Sequence, residues 1–205
     1  YSGIDHEPET LMLEDLSVDA ERARRTNALL TTEAARDVTA LHEALDLLEA
    51  QLPYNCEHVV PQSWFGKLEP MRGDLHHLFA CESGCNSFRG NQAYYDFEDF
   101  EEAIRSNCGK REQNRFEPGS AKGKSAVARA TLYFLLRYPG LIAIAGGELD
   151  AERLPLLLAW HAASPPNSYE RHRNAAIFEK QGNRNPLIDH PEWAERIDFS
   201  LGFGD

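Results

Sequence analysis

A chain of 205 residues, 42% hydrophobic and 26% charged, is ample for one globular domain with a real core. No run approaches the ~18 apolar residues a membrane helix needs, and no basic-then-apolar signal peptide is seen. The net charge of −12, from 33 acidic and 21 basic residues, argues at first sight against a surface that grips phosphates.

Residues 1–16 are acidic and weakly patterned, and read as an arm or short irregular lead. Residues 17–30 read as a helix with Ser17 as N-cap and Glu21 in its first turns. Residues 37–52 are a clearer helix. Val38, Leu41, Leu45, Leu48 and Leu52 recur at helical spacing as a core-facing stripe, and Pro53 ends it. Residues 56–60 are a short strand, β-branched at its end and stopped by Pro61. Residues 75–80 are a second short apolar run around His76 and His77, and residues 84–94 can start a helix. Residues 97–104 mix acids with apolar side chains and suggest a helical turn or two, their acids forming a solvated face. Residues 108–124, punctuated by Gly109, Pro118, Gly119 and Gly123, read as a loop. Residues 125–138 form a strong helix with Val127, Ala130, Thr131, Phe134, Leu135 and Tyr138 buried, ended by Pro139-Gly140. Residues 141–145 are either a strand or the packed exit of that helix. Residues 150–162 give another helix, capped by Asp150 and started late or kinked by Pro155. Residues 168–181 give a further one, stopped by Gly182. The tail is turn-rich, and there is neither a repeat nor a clean second-domain boundary.

The charge is unevenly placed. Residues 1–53 carry 12 acids and 4 bases, whereas the remainder carries 21 and 17. Lys110, Arg111, Arg115, Lys122, Lys124 and Arg129 make one basic stretch, and residues 171–184, with Arg173 and Arg184, make another. A positive cleft can exist on a negative protein.

The densest chemistry lies between residues 55 and 91, in NCEHVVPQSWF and DLHHLFACESGCNSFRGN. Glu57-His58 pairs an oxygen donor suited to a hard cation with an imidazole that can act as a base near neutral pH. Adjacent strand residues point to opposite faces, so the two converge only if the strand bends or ends there. Asn86 offers a second oxygen. Arg89, three residues on, shares its helix face and can clamp a phosphate; Arg72 can do the same from the loop. Asp74, His76 and His77 fall on the expected second strand, where one of them can orient His58 or a metal-bound water and one of the histidines is a satisfied core residue. Gln62 and Asn91 complete the supporting set. A lone Glu-His pair or a lone helical Asn would carry little weight; the order and spacing of all of them carry the case.

CEHVVPQSWF, DLHHL and CNSFRGN resemble the endonuclease I family of bacterial nonspecific nucleases, within the His-Me finger (ββα-metal) group. GKSAVARATLYFLLRYPG and YERHRNAAIFEKQGNRNPLIDHPEWA resemble that family's C-terminal blocks. The resemblance implies an α+β, mainly helical single domain built around a ββα-metal finger at about residues 54–95. The core would span 53–205, with residues 1–52 a divergent, acidic, helical N-terminal region. It implies a sequence-nonspecific endonuclease of DNA, with RNA as a second substrate class, leaving 5′-phosphate and 3′-hydroxyl ends. Glu57 and Asn86 would hold one Mg²⁺ (or Mn²⁺ or Ca²⁺), and His58 would be the base. Some family members place a phosphate-binding Arg in a longer inter-strand loop; that loop is short here, which leaves the role open between Arg72 and Arg89. Arg129, Arg173, Asn183, Arg184 and Asn185 are weaker candidates for substrate contact. The other readings are an inactive nucleic-acid-binding finger and a structural zinc protein. Cys56, Cys81, Cys85 and Cys108 suit either two disulfides or a four-cysteine Zn²⁺ site, with four free thiols a third account. The resembling nucleases are mostly exported, which favours disulfides and a secreted or periplasmic monomer.

Overall fold

The computed structural model describes residues 8–98, 104–106, 108–143 and 153–204. Its helices and three small sheets are consistent with an α+β fold. No helix among the described residues is long and apolar enough to cross a membrane.

The first described elements are α1 (Pro8–Leu30) and α2 (Val38–Ala50). The expected irregular lead is therefore helical from Pro8, and Ser17 lies inside the helix; residues 1–7 are outside the described residues. Proline is tolerated in a first turn, and no Gly or Pro interrupts the rest of the helix. The apolar pattern of α1 is weak, and pairs one turn apart compensate: Glu21 binds both Arg24 and Arg25. Asp37 caps α2, its carboxylate accepting from the Thr39 and Ala40 amides. Leu48 and Leu52 pack with Val18 in a small cluster of their own, whereas Val38 is exposed.

β1 (Tyr54–His58) pairs antiparallel with β2 (Leu78–Glu82), and α3 (Ser83–Arg89) follows β2 without a gap. Glu57 lies opposite Phe79 and His58 opposite Leu78. Asp74, His76 and His77 are not on β2 as expected. They occupy a short 3₁₀ turn before it, because the Asp74 carboxylate caps that turn by accepting from the His76 amide at 2.9 Å.

The remaining strands are β3 (Ala93–Tyr94), β4 (Ile104–Ser106), β5 (Gly109–Glu112) and β6 (Arg115–Pro118), in the order β3-β6-β5-β4. The expected loop over 108–124 is thus a hairpin running into a helix cap. Gly109 is a strand residue: its φ is +142°, and a Cβ there would lie 2.2 Å from the Glu117 carbonyl oxygen. Ile104 begins a strand instead of ending a helix, and residues 99–103 lie outside the described residues.

α4 (Ala121–Arg137) runs through the core, capped by Ser120, whose hydroxyl accepts from the Gly123 amide. Val127, Ala130, Thr131, Phe134 and Leu135 are buried as their spacing predicts. α5 (Leu154–Ala163) packs on α4 and starts at its Pro155 turn; residues 144–152, including Asp150, are outside the described residues. α6 (Ser168–Gln181) has the predicted limits and ends on Gly182 in the left-handed conformation, at φ 80°. Its start is a capping box between Asn167 and Glu170. α7 (Pro186–Asp189), two 3₁₀ turns and β8 (Phe203–Gly204) close the chain, β8 pairing in parallel with β7 (Ile142–Ala143).

Candidate active site

β1 ends at His58, so the chain turns just where Glu57 and His58 leave it. Glu57 is 1% exposed and His58 is half-buried. α3 packs across the strand and carries Asn86 and Arg89 towards them. A cleft of about 200 Å³ is lined by Glu57, His58, Gln62, Asn86, Arg89 and Asn91 among others. A larger cleft of about 550 Å³ adjoins it, sharing Cys56, His58, Gln62 and Asn86 and adding Glu49, Glu69 and Arg72.

The His58 ring is held from behind. Its Nε2 faces the Arg72 carbonyl oxygen at 3.0 Å, so that nitrogen carries the proton and donates. Nδ1 then presents a lone pair, with the Gln62 amide nitrogen 3.4 Å away. Burial pushes the His58 pKa below its ordinary value, and the charge of Arg72 pushes the same way. The ring is therefore neutral at pH 7. His77 packs edge-on against it at 5.6 Å, fully buried and bonded to the Met71 carbonyl at 2.7 Å.

Asn86 donates from its amide nitrogen to Asn55 Oδ1 at 2.5 Å, which leaves its oxygen as the atom to offer. Asn55 had no signal in the sequence beyond its place before Cys56; only the pairing of β1 with α3 reveals it. Arg89 is not an exposed phosphate clamp. Its guanidinium is 1% exposed and donates to Glu57 Oε1 at 2.9 Å, the His58 carbonyl at 3.0 Å and the Val59 carbonyl at 2.9 Å. Tyr94 lies beneath it, its ring centroid 4.9 Å away. Arg89 thus fixes the end of β1 and the orientation of Glu57. Arg72 lines the larger cleft beside His58.

Asp74 does not reach His58. Its carboxylate accepts from the Tyr133 and Tyr138 hydroxyls, each at 2.7 Å, and from the Gln181 amide at 2.8 Å. Although burial opposes it, these bonds hold the Asp74 pKa below its ordinary value. Asn183 joins the same network through Tyr133, and its carbonyl accepts from His76. The remaining basic candidates are engaged elsewhere. Arg129 is buried with Glu170, and Arg173 binds the Leu75 and Leu78 carbonyls while covering the Phe79 ring. Arg184 pairs with Asp189 through two bonds of 2.6 Å, and buried Asn185 caps α7. The cysteines divide: Cys85 and Cys108 form a disulfide, while Cys56 is free and exposed and Cys81 free and buried. Of the two disulfides expected, one is therefore formed and Cys56 and Cys81 are left unbridged, and the same bond removes two ligands from the alternative four-cysteine zinc site.

Against this geometry, the family model described as Endonuclease I matches residues 19–192. The chain is 35% identical over 158 residues to an extracellular ribonuclease of Bacillus amyloliquefaciens, covering 70% of this chain and 53% of that protein. It is 29% identical over 157 residues to a periplasmic deoxyribonuclease of Aeromonas hydrophila, covering 65% and 62%. An extracellular deoxyribonuclease of Aeromonas hydrophila is 27% identical over 154 residues, covering 65% and 64%. The chain therefore spans about half the length of the Bacillus ribonuclease and under two thirds of the Aeromonas enzymes.

Proposed function

Because the chain belongs to the endonuclease I family, we propose that it is a metal-dependent, sequence-nonspecific endonuclease, cleaving DNA and, as a second substrate class, RNA. The observation that carries this reading is the fixed tautomer of His58: one ring nitrogen donates to Arg72, and the other offers its lone pair beside the oxygen donors of Glu57 and Asn86. A base prepared in this way suits removal of a proton from an attacking water. We read β1, β2 and α3 as a ββα-metal finger, supported by the antiparallel pair running directly into the helix that bears Asn86. Residues 53–205 would form the nuclease core and residues 1–52 a helical addition to it, consistent with the separate cluster of Val18, Leu48 and Leu52.

The donor set fits a hard divalent cation. Glu57 and Asn86 offer a carboxylate and an amide oxygen, and Mg²⁺ usually takes one or two such groups and keeps several waters. Among the described residues no three His, Cys, Asp or Glu side chains converge, as a closed zinc-type cage would require. Arg89 binds one Glu57 oxygen at 2.9 Å, which orients the carboxylate. Held by Glu57 and Asn86, Mg²⁺ (or Mn²⁺ or Ca²⁺) would neutralise phosphate charge and stabilise the leaving 3′ oxygen.

The protein's own residues supply the rest. His58 Nδ1 takes the proton from water, and the Arg72 carbonyl stabilises the imidazolium that results. The Arg72 guanidinium, at the cleft wall, would neutralise the phosphate. Gln62 keeps the imidazole in place, and Arg89 holds Glu57. The products would be 5′-phosphate and 3′-hydroxyl ends. Secretion or export to a periplasm agrees with the relatives' names and with the Cys85–Cys108 disulfide. Incubation of plasmid DNA and of RNA with the protein tests the proposal: cleavage with Mg²⁺, its loss with EDTA and its return on adding Mg²⁺ back are expected. Cleavage unaffected by EDTA, or no cleavage of either substrate, would overturn it.

A further inference from the structure

Cys56 and His58 are two residues apart on β1, so their side chains leave the strand on the same face, and Glu57 joins them only in the smaller cleft, where the strand ends. Both line both clefts. Cys56 is exposed and unbonded. The other free thiol, Cys81, lies opposite Asn55 and is buried, hence on the Glu57 face and turned away from Cys56. His58 has the arrangement of a metal-ligating histidine: one ring nitrogen donates to a backbone carbonyl, which fixes the tautomer, and the other keeps its lone pair on the cleft side, held only by a long 3.4 Å contact from the Gln62 amide that a metal would displace. Two carboxylates, Glu49 and Glu69, stand in the walls of the larger cleft with Arg72, and outnumber its positive charge.

Donor chemistry separates this pair from the one proposed for Mg²⁺. Sulfur and imidazole nitrogen select zinc-class ions, whereas the Glu57 and Asn86 oxygens select hard ones. We propose that Cys56 and His58 form a second, inhibitory site for thiophilic divalent cations of the zinc class, with water completing the coordination shell. Binding releases the thiol proton to solvent as the sulfur–metal bond forms, and no electron is transferred. It also occupies His58 Nδ1, the atom that would accept the proton from water. The inhibitory consequence rests on the reading of His58 as base; the binding site does not.

The test uses the whole protein and two readouts. Titration with Co²⁺ or Cd²⁺ in the absence of nucleic acid should produce a thiolate-to-metal absorption band. Cys56→Ser should abolish it, Cys81→Ser should retain it, and His58→Ala should weaken the binding by at least about tenfold, since even an outer-shell partner of a ligand is worth that much. In plasmid cleavage at fixed Mg²⁺, with each protein referred to its own rate without Zn²⁺, Cys56→Ser should need at least ~10-fold more Zn²⁺ for half inhibition. Alkylation of Cys56 by iodoacetamide, mapped by mass, should be slowed by Zn²⁺ and not by Mg²⁺, which needs no variant. A band that is absent from the native protein or persists in Cys56→Ser would overturn the site. Equal Zn²⁺ sensitivity of the native protein and Cys56→Ser would overturn its inhibitory role. A Cys56-dependent band in a protein that cuts no nucleic acid would uphold the site and sink the nuclease reading instead.

Discussion

Arg129→Met probes a buried ion pair outside the candidate site. The guanidinium is 1% exposed on α4, and it meets both Glu170 oxygens, at 2.7 and 2.9 Å. It also donates to the Ser164 carbonyl at 2.8 Å. Methionine fills similar volume without charge, so Glu170, 7% exposed, remains as a buried carboxylate without its cation. Breaking a buried pair from one side typically costs about 3–5 kcal/mol, because the abandoned charge stays desolvated. That is a large share of the ~5–15 kcal/mol by which a domain is stable. With a urea m-value of about 2 kcal/mol/M, the midpoint should fall by roughly 2 M. Removing Glu170 as well deletes the stranded charge, so Arg129→Met/Glu170→Leu should recover about half of the loss despite the lost capping box. Urea unfolding followed by tryptophan fluorescence measures both, and cleavage per folded molecule should not change. A loss under about 1 kcal/mol, or a double variant no better than the single, would refute the reasoning.

Reducing Cys85–Cys108, whose sequence separation is 23, should lower stability by about 3 kcal/mol on loop-closure grounds, read from urea curves with and without reductant. His77 gives a pH dependence. Burial pushes its pKa down to about 4, so the folded ring stays neutral while the unfolded one protonates near its ordinary 6.5. Stability present in full above pH 6.5 should therefore decline as the pH falls towards 4, by about 3 kcal/mol in total, and His77→Phe should remove that part of the slope. Glu57→Ala and Asn86→Ala should shift cleavage to higher Mg²⁺ or Mn²⁺ and recover partly there, measured as metal titrations of plasmid digestion; an unchanged titration would remove them from the metal site.

The long elements were legible because several local signals agree. α6 has a capping side chain before it, an acid in its first turn and Gly182 after it, and α4 shows a full apolar stripe. The β5–β6 hairpin was not legible. Its turn places Gln113 at φ 47° without the usual glycine, and Gly109 and Pro118, which resemble loop punctuation, face each other across the strands. The ordered motifs were enough to bring Glu57, His58, Gln62 and Asn86 to one cleft. The arginines were harder. Spacing on a helix put Arg89 beside Asn86, but whether a cation faces solvent or a buried carboxylate depends on partners distant in sequence: Glu57 for Arg89, 32 residues away, and Glu170 for Arg129, 41 residues away. The Asp74 network was hidden for the same reason, since Gln181 comes from 107 residues downstream.

The most direct measurement is the rate of plasmid cleavage by His58→Ala at saturating Mg²⁺, beside a urea curve and a DNA-binding isotherm for the same variant. A base acts on the transition state and adds little to ground-state binding. The account predicts at least ~10²-fold slower cleavage, the usual scale for a positioned base, with folding and DNA affinity nearly intact and no rescue by high Mg²⁺ or Mn²⁺. A folded His58→Ala protein that retains most of its cleavage rate would contradict it.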